Sequence, residues 1–415
     1  MTGLPEAIYI PRALVFTTVF PHAGQRHIGL FVRERMFRVA ERLPASFVCP
    51  IPWFPGQSII RPYRPGFRPP APRREEQLGI HVLHPRFLSI PGVGKRWDGL
   101  LLALGALPTL RRLRQNPGFD NLDAHFGYPD GYAATLLGRW LDLPVTVTIR
   151  GNEEVIARNP SLRPLLARGL RGAARVFSVS DSLRRLAIEL GVEPERAITV
   201  PNGVDSEKFY PVPRLEARGE LGLPARAPVL ISVGGLVEGK GFHRVIECLP
   251  ALKADFPGLR YLIAGGATPV GDWRPRLERQ VRELGLGDTV TFLGPVAPER
   301  LRVPLSAADA FVLATAREGW ANVFLEAMAC GLPVVTTRVG GNPEVVSDPR
   351  LGTLVPFGEP AALEAAIREA LHHDWDRDFI LAYARANTWD RRIDQLVGEF
   401  QKVVAEYRQG KAPSS

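Results

Sequence analysis

Short apolar runs alternate with amphipathic stretches twice along this chain. The runs at 13–18, 46–49, 144–149 and 175–180 have the length and apolar content of buried parallel strands. Between them, 31–42 sets Phe31, Val32, Met36, Val39, Ala40 and Leu43 on one helical face. Helices are also predicted over 133–141 and 181–190. The pattern restarts with strands at 228–233, 259–264, 289–294, 309–315 and 333–338, and with helices over 242–252, 323–330, 361–372 and 391–407. Asn322 reads as the N-cap of the 323–330 helix, Gly331 as its stop, and Pro333 lies just beyond. Residues 50–75 break the pattern: proline and arginine crowd them, and they read as an extended surface excursion. Strand–helix alternation run twice, with no repeat of solenoid period, predicts an α/β chain of two Rossmann-like domains. The boundaries fall at 1–210, 211–385 and 386–415, with a hinge at about 206–218 and the last segment a terminal helix and tail.

Length agrees, since 415 residues exceed what one core organises. No run reaches transmembrane length and no secretory leader is read, so a cytoplasmic protein is expected. Cys49, Cys248 and Cys330 are far apart and lack metal spacing, which argues against a disulfide or zinc framework. Charge adds a polarity: residues 1–210 hold 28 Lys and Arg against 18 Asp and Glu, a net of +10, while 211–415 hold 24 against 25, a net of −1. The basic half fits an anionic acceptor or an anionic membrane surface. Arginines interleaved with Trp53, Phe54, Tyr63 and Phe67 support an interfacial segment, and the same composition also suits a merely irregular insert. No nucleic-acid motif accompanies the charge.

The chemistry gathers at strand ends. The loop at 316–321 leads from a strand into a helix, and a helix start offers free N–H groups and positive potential to an anion. Glu318 lies in that loop and Glu326 about one turn into the helix, so both carboxylates can face one crevice. Gly319, Trp320, Ala321, Asn322 and Val323 line the approach. Such a site suits a pyrophosphate flanked by hydroxyl-bearing sugars. Gly234 and Lys240 occupy the turn after the strand at 228–233. Gly294 ends another strand. In the first half, Gly29 closes the loop before the 31–42 helix, and His125 and Arg150 stand at strand ends, where α/β sheets place ligands.

Glu318-Gly-Trp-Ala-Asn-Val-Phe-Leu-Glu326-Ala-Met-Ala-Cys-Gly331-Leu-Pro333-Val-Val resembles the signature of the retaining glycosyltransferases of family 4. The resemblance implies GT-B architecture, two Rossmann-like domains facing across a cleft, with the C-terminal helix crossing back to the first. It implies a sugar moved from a nucleotide-diphosphate sugar, UDP or GDP, to a saccharide or lipid-linked acceptor in cell-surface polysaccharide or glycolipid synthesis, with retention and no required metal. His125 then contacts the donor sugar and Glu318 orients it, as the catalytic pair. Gly29, Arg150, Gly234, Lys240, Gly294, 319–323 and Glu326 bind the donor. Lys240 neutralises the pyrophosphate and Glu326 accepts from the ribose. The family's arginine five residues before that lysine is replaced here by Gly235, with Arg150 or Arg317 as substitutes. Attachment is expected to be peripheral, at the inner face of the plasma membrane. The competing readings are a nucleotide-sugar epimerase on the same fold and a non-catalytic two-lobed sugar-binding protein. No Gly-x-Ser-x-Gly and no P-loop spacing is present.

Overall fold

The computed structural model describes residues 9–410 apart from 27, 61, 64–66, 93, 117 and 269–270. It divides into two units, residues 1–201 with 392–415, and residues 202–391. The division at 201/202 places the segment 206–218 inside the second unit. Asp309 holds it there, pairing with Arg214 at 2.7 Å and with the buried Arg218 at 2.8 Å.

The first unit is built on an eight-stranded sheet. Its strands are β1 (Ala13–Phe16), β2 (Ala45–Val48), β4 (Arg74–Gln77), β5 (Ile80–Leu83), β7 (Asn121–His125), β8 (Val145–Ile149), β9 (Arg175–Ser178) and β10 (Ala197–Thr199). The order is β10-β9-β8-β7-β1-β2-β5-β4. All pairs are parallel except β4 with β5, a hairpin at one edge. Two further strands, β3 (Ile51–Trp53) and β6 (Arg86–Leu88), form a separate parallel pair. Part of the supposed excursion at 50–75 is therefore sheet, with Pro52 tolerated because a two-stranded pair is all edge. The helices are α1 (Leu30–Ala40), α2 (Asp98–Gln115), α3 (Tyr132–Leu141), α4 (Asn152–Ala157), α5 (Arg163–Arg171) and α6 (Asp181–Glu189).

One detail departs from the predicted pattern. On α1, Arg35 and Phe37 are buried with Val32, Met36 and Val39, while Phe31 and Ala40 are only half-buried. All five residues of β8 are buried, its threonines included, as expected of a buried parallel strand. Thr146 is satisfied inside the sheet, donating to Asp123 at 2.7 Å and accepting from Asn121 at 3.3 Å.

The second unit has a six-stranded, all-parallel sheet in the order β13-β12-β11-β14-β15-β16. The strands are β11 (Val229–Val233), β12 (Arg260–Ala264), β13 (Val290–Gly294), β14 (Ala310–Leu313), β15 (Val334–Thr337) and β16 (Gly352–Val355). Around it lie α7 (Arg214–Glu220), α8 (Phe242–Asp255), α9 (Arg274–Glu283), α10 (Pro298–Ala307), α11 (Asn322–Ala329), α12 (Asn342–Val345), α13 (Pro360–His372) and α14 (Arg377–Ala386). The inner strands β11, β12, β14 and β15 are buried on both faces, as a sheet covered by helices requires. Phe311 on β14 meets Phe324 on α11, ring centroids 5.7 Å apart, and neither is exposed. Burying each such ring stabilises by about 1.5–3 kcal/mol.

The last helix, α15 (Trp389–Gln409), starts in the second unit, and its residues from 392 onward belong to the first. There Phe400 packs on Phe177 of β9 at 6.0 Å. Arg175 pairs with Glu406 at 2.7 Å, and Arg408 with Asp120 at 2.9 Å. No helix among the described residues is long and apolar enough to cross a membrane.

Candidate functional site

In the second unit the residues around β11, β14 and α11 converge. Lys240, in the turn before α8, donates to Oε2 of Glu318 at 2.6 Å. These residues stand 78 positions apart, and the parallel neighbours β11 and β14 bring their loops together. The ammonium is thus matched to a carboxylate across the two loops. Glu318 is shaped from behind by the turn after β15. Gly341 N–H donates to the Glu318 carbonyl at 3.0 Å. Gly340 has φ +48°, and a Cβ there would lie 1.9 Å from that carbonyl oxygen, so only glycine fits.

Asn322 is not the N-cap of α11. The cap position is Ala321, with no side-chain hydrogen bond, and Asn322 is the first helical residue. Its Oδ1 instead accepts from Nδ2 of Asn202 at 2.9 Å. The helix start therefore lacks a side-chain cap and keeps the character of an anion site. Gly319 and Ala321 are buried, and Trp320, Asn322, Val323 and Glu326 are partly exposed. The indole N–H of Trp320 is buried without a partner among the described residues. Gly234 follows β11 and Gly294 ends β13, one on each side of β12: Gly234 N–H donates to Ala264 at 3.0 Å, and Gly294 accepts from Gly265 at 2.8 Å. Arg317 is exposed beside Glu318.

In the first unit His125 and Arg150 meet. Arg150 Nη2 lies 3.1 Å from His125 Nδ1, and its guanidinium covers the Phe31 ring at 5.3 Å. His125 ends β7 with no exposed surface. Its Nε2 is 3.2 Å from Asp123 Oδ2, off the line of a hydrogen bond. Burial pushes the imidazole down to about 4, against the pull of Asp123 and with a further push from Arg150 and Arg35. It is therefore neutral, and Nδ1 is its acceptor for Arg150. Burial also lowers Arg150, with Arg35 adding. Gly29, φ +68°, is buried before α1, and a Cβ there would lie 2.3 Å from the Val19 carbonyl oxygen.

Sequence reasoning missed three groups here. Glu153 is fully buried and accepts from the backbone N–H groups of Gly127, Arg150 and Gly151 at 2.8, 3.0 and 2.9 Å. Asp130 accepts from the backbone N–H of Thr18, and from its Oγ1 at 3.0 Å. Arg35 is fully buried, with none of its guanidinium nitrogens hydrogen-bonded among the described residues. Burial brings it to about 10 despite Asp123. The Gly-x2-Asp run after His125 carries a weak signal for Asp130; nothing in the sequence marks Arg35. Among the described residues no group of three or more His, Cys, Asp or Glu is placed to hold a metal ion.

Two Rossmann-like units, the second with a paired lysine and glutamate beside an uncapped helix start, define a glycosyltransferase of GT-B architecture. The family model described as "Glycosyl transferases group 1" matches residues 213–387, and "Glycosyltransferase Family 4" matches 63–208. The chain is 36% identical over 355 residues to the D-inositol 3-phosphate glycosyltransferase of Geodermatophilus obscurus, covering 80% of this chain and 78% of that one. The chain belongs to glycosyltransferase family 4. Its fold matches sucrose-phosphate synthase of Thermosynechococcus elongatus with a TM-score of 0.74 at 22% identity, over 96% of this chain and 100% of the other. It also matches Anabaena HepE, solved in complex with UDP and glucose, with a TM-score of 0.70 at 19% identity, over 94% and 100%.

Proposed function

We propose that this glycosyltransferase moves a hexose, with retention, from a nucleotide-diphosphate sugar to a hydroxyl of an anionic saccharide or lipid-linked acceptor. The observation that carries the reading is the Lys240–Glu318 pair at 2.6 Å beside the uncapped start of α11. A diphosphate brings more negative charge to Lys240 than Glu318 does, so it takes the ammonium and frees the carboxylate. Glu318 then turns its acceptor oxygens to the donor sugar's hydroxyls. The N–H groups at the start of α11 and the Trp320 indole face the growing charge of the leaving phosphate. Glu326 accepts from the ribose. The departing phosphate oxygen takes the acceptor's proton, so no side-chain base is needed. His125, neutral and fixed by Arg150, acts on the donor sugar through a hydrogen bond, not as an acid.

The net +10 of residues 1–210 supports an acceptor bearing phosphate, and the relatives' name as D-inositol 3-phosphate glycosyltransferases supports it independently. A phosphorylated cyclitol is therefore the second acceptor class, beside a lipid-linked saccharide at the inner face of the plasma membrane. The UDP and glucose of the HepE structure favour UDP-glucose as the first donor to try. The test is release of free nucleoside diphosphate. It should require both donor and phosphorylated acceptor, and the product's anomeric coupling should match the donor's. Release without acceptor, or product with inverted configuration, contradicts the reading.

A further inference from the structure

Two buried histidines of the first unit take no part in this chemistry. His84 follows β5 and His22 lies in the loop between β1 and α1, with 1% and 6% of their surface exposed. His84 Nδ1 is 2.8 Å from the carbonyl oxygen of Cys49, and Nε2 is 3.0 Å from Oε1 of Glu75. A carbonyl only accepts, and so does an ionised carboxylate, whereas a neutral imidazole has one N–H. One extra proton is therefore needed, on either His84 or Glu75. Both Glu75 oxygens already face donors: Oε1 takes Gln77 Nε2 at 2.7 Å, and Oε2 takes the Ala23 backbone N–H at 3.1 Å. Burial opposes ionisation of Glu75, but the hydrogen bonds from Gln77, His84 and Ala23 overcome it and hold the carboxyl below its ordinary range.

We infer that His84 is held as an imidazolium between Cys49 and Glu75, and that this ion pair positions the β1–α1 loop for the reaction. The reach into the loop is direct. Glu75 grips Ala23, and Gln77 Nε2 donates also to the Pro21 carbonyl at 2.8 Å. His22 completes the set from the other protonation state: its Nδ1 accepts from Gly24 N–H at 3.2 Å, so that nitrogen must be bare. Burial and the neighbouring His84, ring centroids 6.0 Å apart, keep His22 below its ordinary value. Among the described residues, the Cys49 thiol beside the pair is pushed up by burial, with Asp130 and Glu75 adding. His84 and Glu75 are positioning residues, acting through the loop. Deprotonating His84 sets a lone pair against an acceptor and loosens Ala23 and Pro21.

That the loop serves transfer rests on the function proposed above, so the test has two arms. In the first, ring-nitrogen NMR of the full chain is recorded from about pH 5 to about pH 9. At neutral pH both His84 nitrogens should carry protons while His22 keeps Nδ1 bare; a bare nitrogen on His84 there overturns the pair. This arm needs no substrate, so it stands if the transfer reading fails. In the second, Glu75→Gln should raise KM for acceptor about tenfold with a smaller change in kcat, the loss of one charge-assisted bond. The alkaline loss of parent activity should follow the His84 titration and vanish in His84→Asn. Unchanged KM in Glu75→Gln, or an alkaline limb that persists in His84→Asn, overturns the positioning role. If either variant fails to fold, amide exchange of Ala23 and Gly24 in the parent must accelerate through the His84 titration; flat exchange overturns it equally.

Discussion

At the residue scale, the proposed function has the pair Lys240–Glu318 make the free enzyme compete with its own donor. Lys240→Ala should weaken nucleoside diphosphate binding by more than tenfold and leave what remains less sensitive to salt, by calorimetry. Glu318→Gln should do the reverse, tightening free diphosphate binding by about two- to fivefold, because a part-exposed pair is worth up to about 1 kcal/mol, while transfer falls. Restoring the family arginine meets an obstacle: a Cβ on Gly235 would lie 2.3 Å from Thr268 Cγ2. Gly235→Arg should therefore fail to rescue Lys240→Ala unless Thr268→Ala accompanies it. Arg317, exposed in the same unit, is the better substitute; Arg150 is spent on His125. The buried titrations give opposite slopes. Burial lifts Asp130 to about 7 against the Thr18 hydrogen bonds, so the fold keeps a proton that the unfolded chain sheds near 3.8. Stability then falls as pH rises from about 4 to about 7. His125, at about 4 folded and 6.5 unfolded, makes stability rise between those values. Urea unfolding should show the rise alone in Asp130→Asn and the fall alone in His125→Asn. The stretch from Glu318 to Glu326 stood out in the sequence because its glycine and glutamates sit in one local run. Arg35 was not, because an arginine on an apolar helical face reads as its polar edge. Its neighbour Asp123 comes from a strand 88 residues on, which periodicity cannot see.

At the scale of elements, α11 matters through its start and its second turn. Glu326→Gln keeps the size of the side chain and removes a charge-assisted acceptor worth about 1.5–3 kcal/mol. Donor affinity should drop by one to two decades, roughly, with the thermal midpoint unchanged; equal affinity would remove Glu326 from the donor site. Most strands and helices were legible, since buried parallel strands are short and apolar and their helices amphipathic. The long helix α2 was not. Gly99, Gly105 and Pro108 interrupt it, and each argues locally against a helix. Packing decides instead: Gly105 lets the helix lie against β6, where a Cβ would be 2.7 Å from Phe87 Cβ. The pair β3–β6 escaped for the same kind of reason, since a proline in a three-residue strand leaves little pattern to read.

At the scale of the molecule, the basic first half should bind anionic vesicles, but through fewer arginines than the sequence offers. Arg61 and Arg64 lie outside the described residues. Arg68 is committed inward, donating to the Ser89 carbonyl at 2.6 Å and standing 5.7 Å over both Phe54 and Phe67. Arg73 and Arg74 are exposed. Co-sedimentation with phosphatidylglycerol vesicles should rise with anionic fraction, and weaken in Arg73→Gln/Arg74→Gln by about 1 kcal/mol per arginine. A parent chain that ignores such vesicles at low salt leaves the soluble phosphorylated acceptor. The path of α15 has another consequence, for the order in which the chain is made. A ribosome delivers β1 to β10 first, yet Phe177 and Arg175 meet Phe400 and Glu406, and Asp120 adds Arg408 to its bonds with Tyr9 and Arg12, only once the last helix is made. The unit synthesised first is thus completed last, after the whole of the second has emerged. During translation its β9 face waits uncovered, and that interval is when a chaperone would hold this chain.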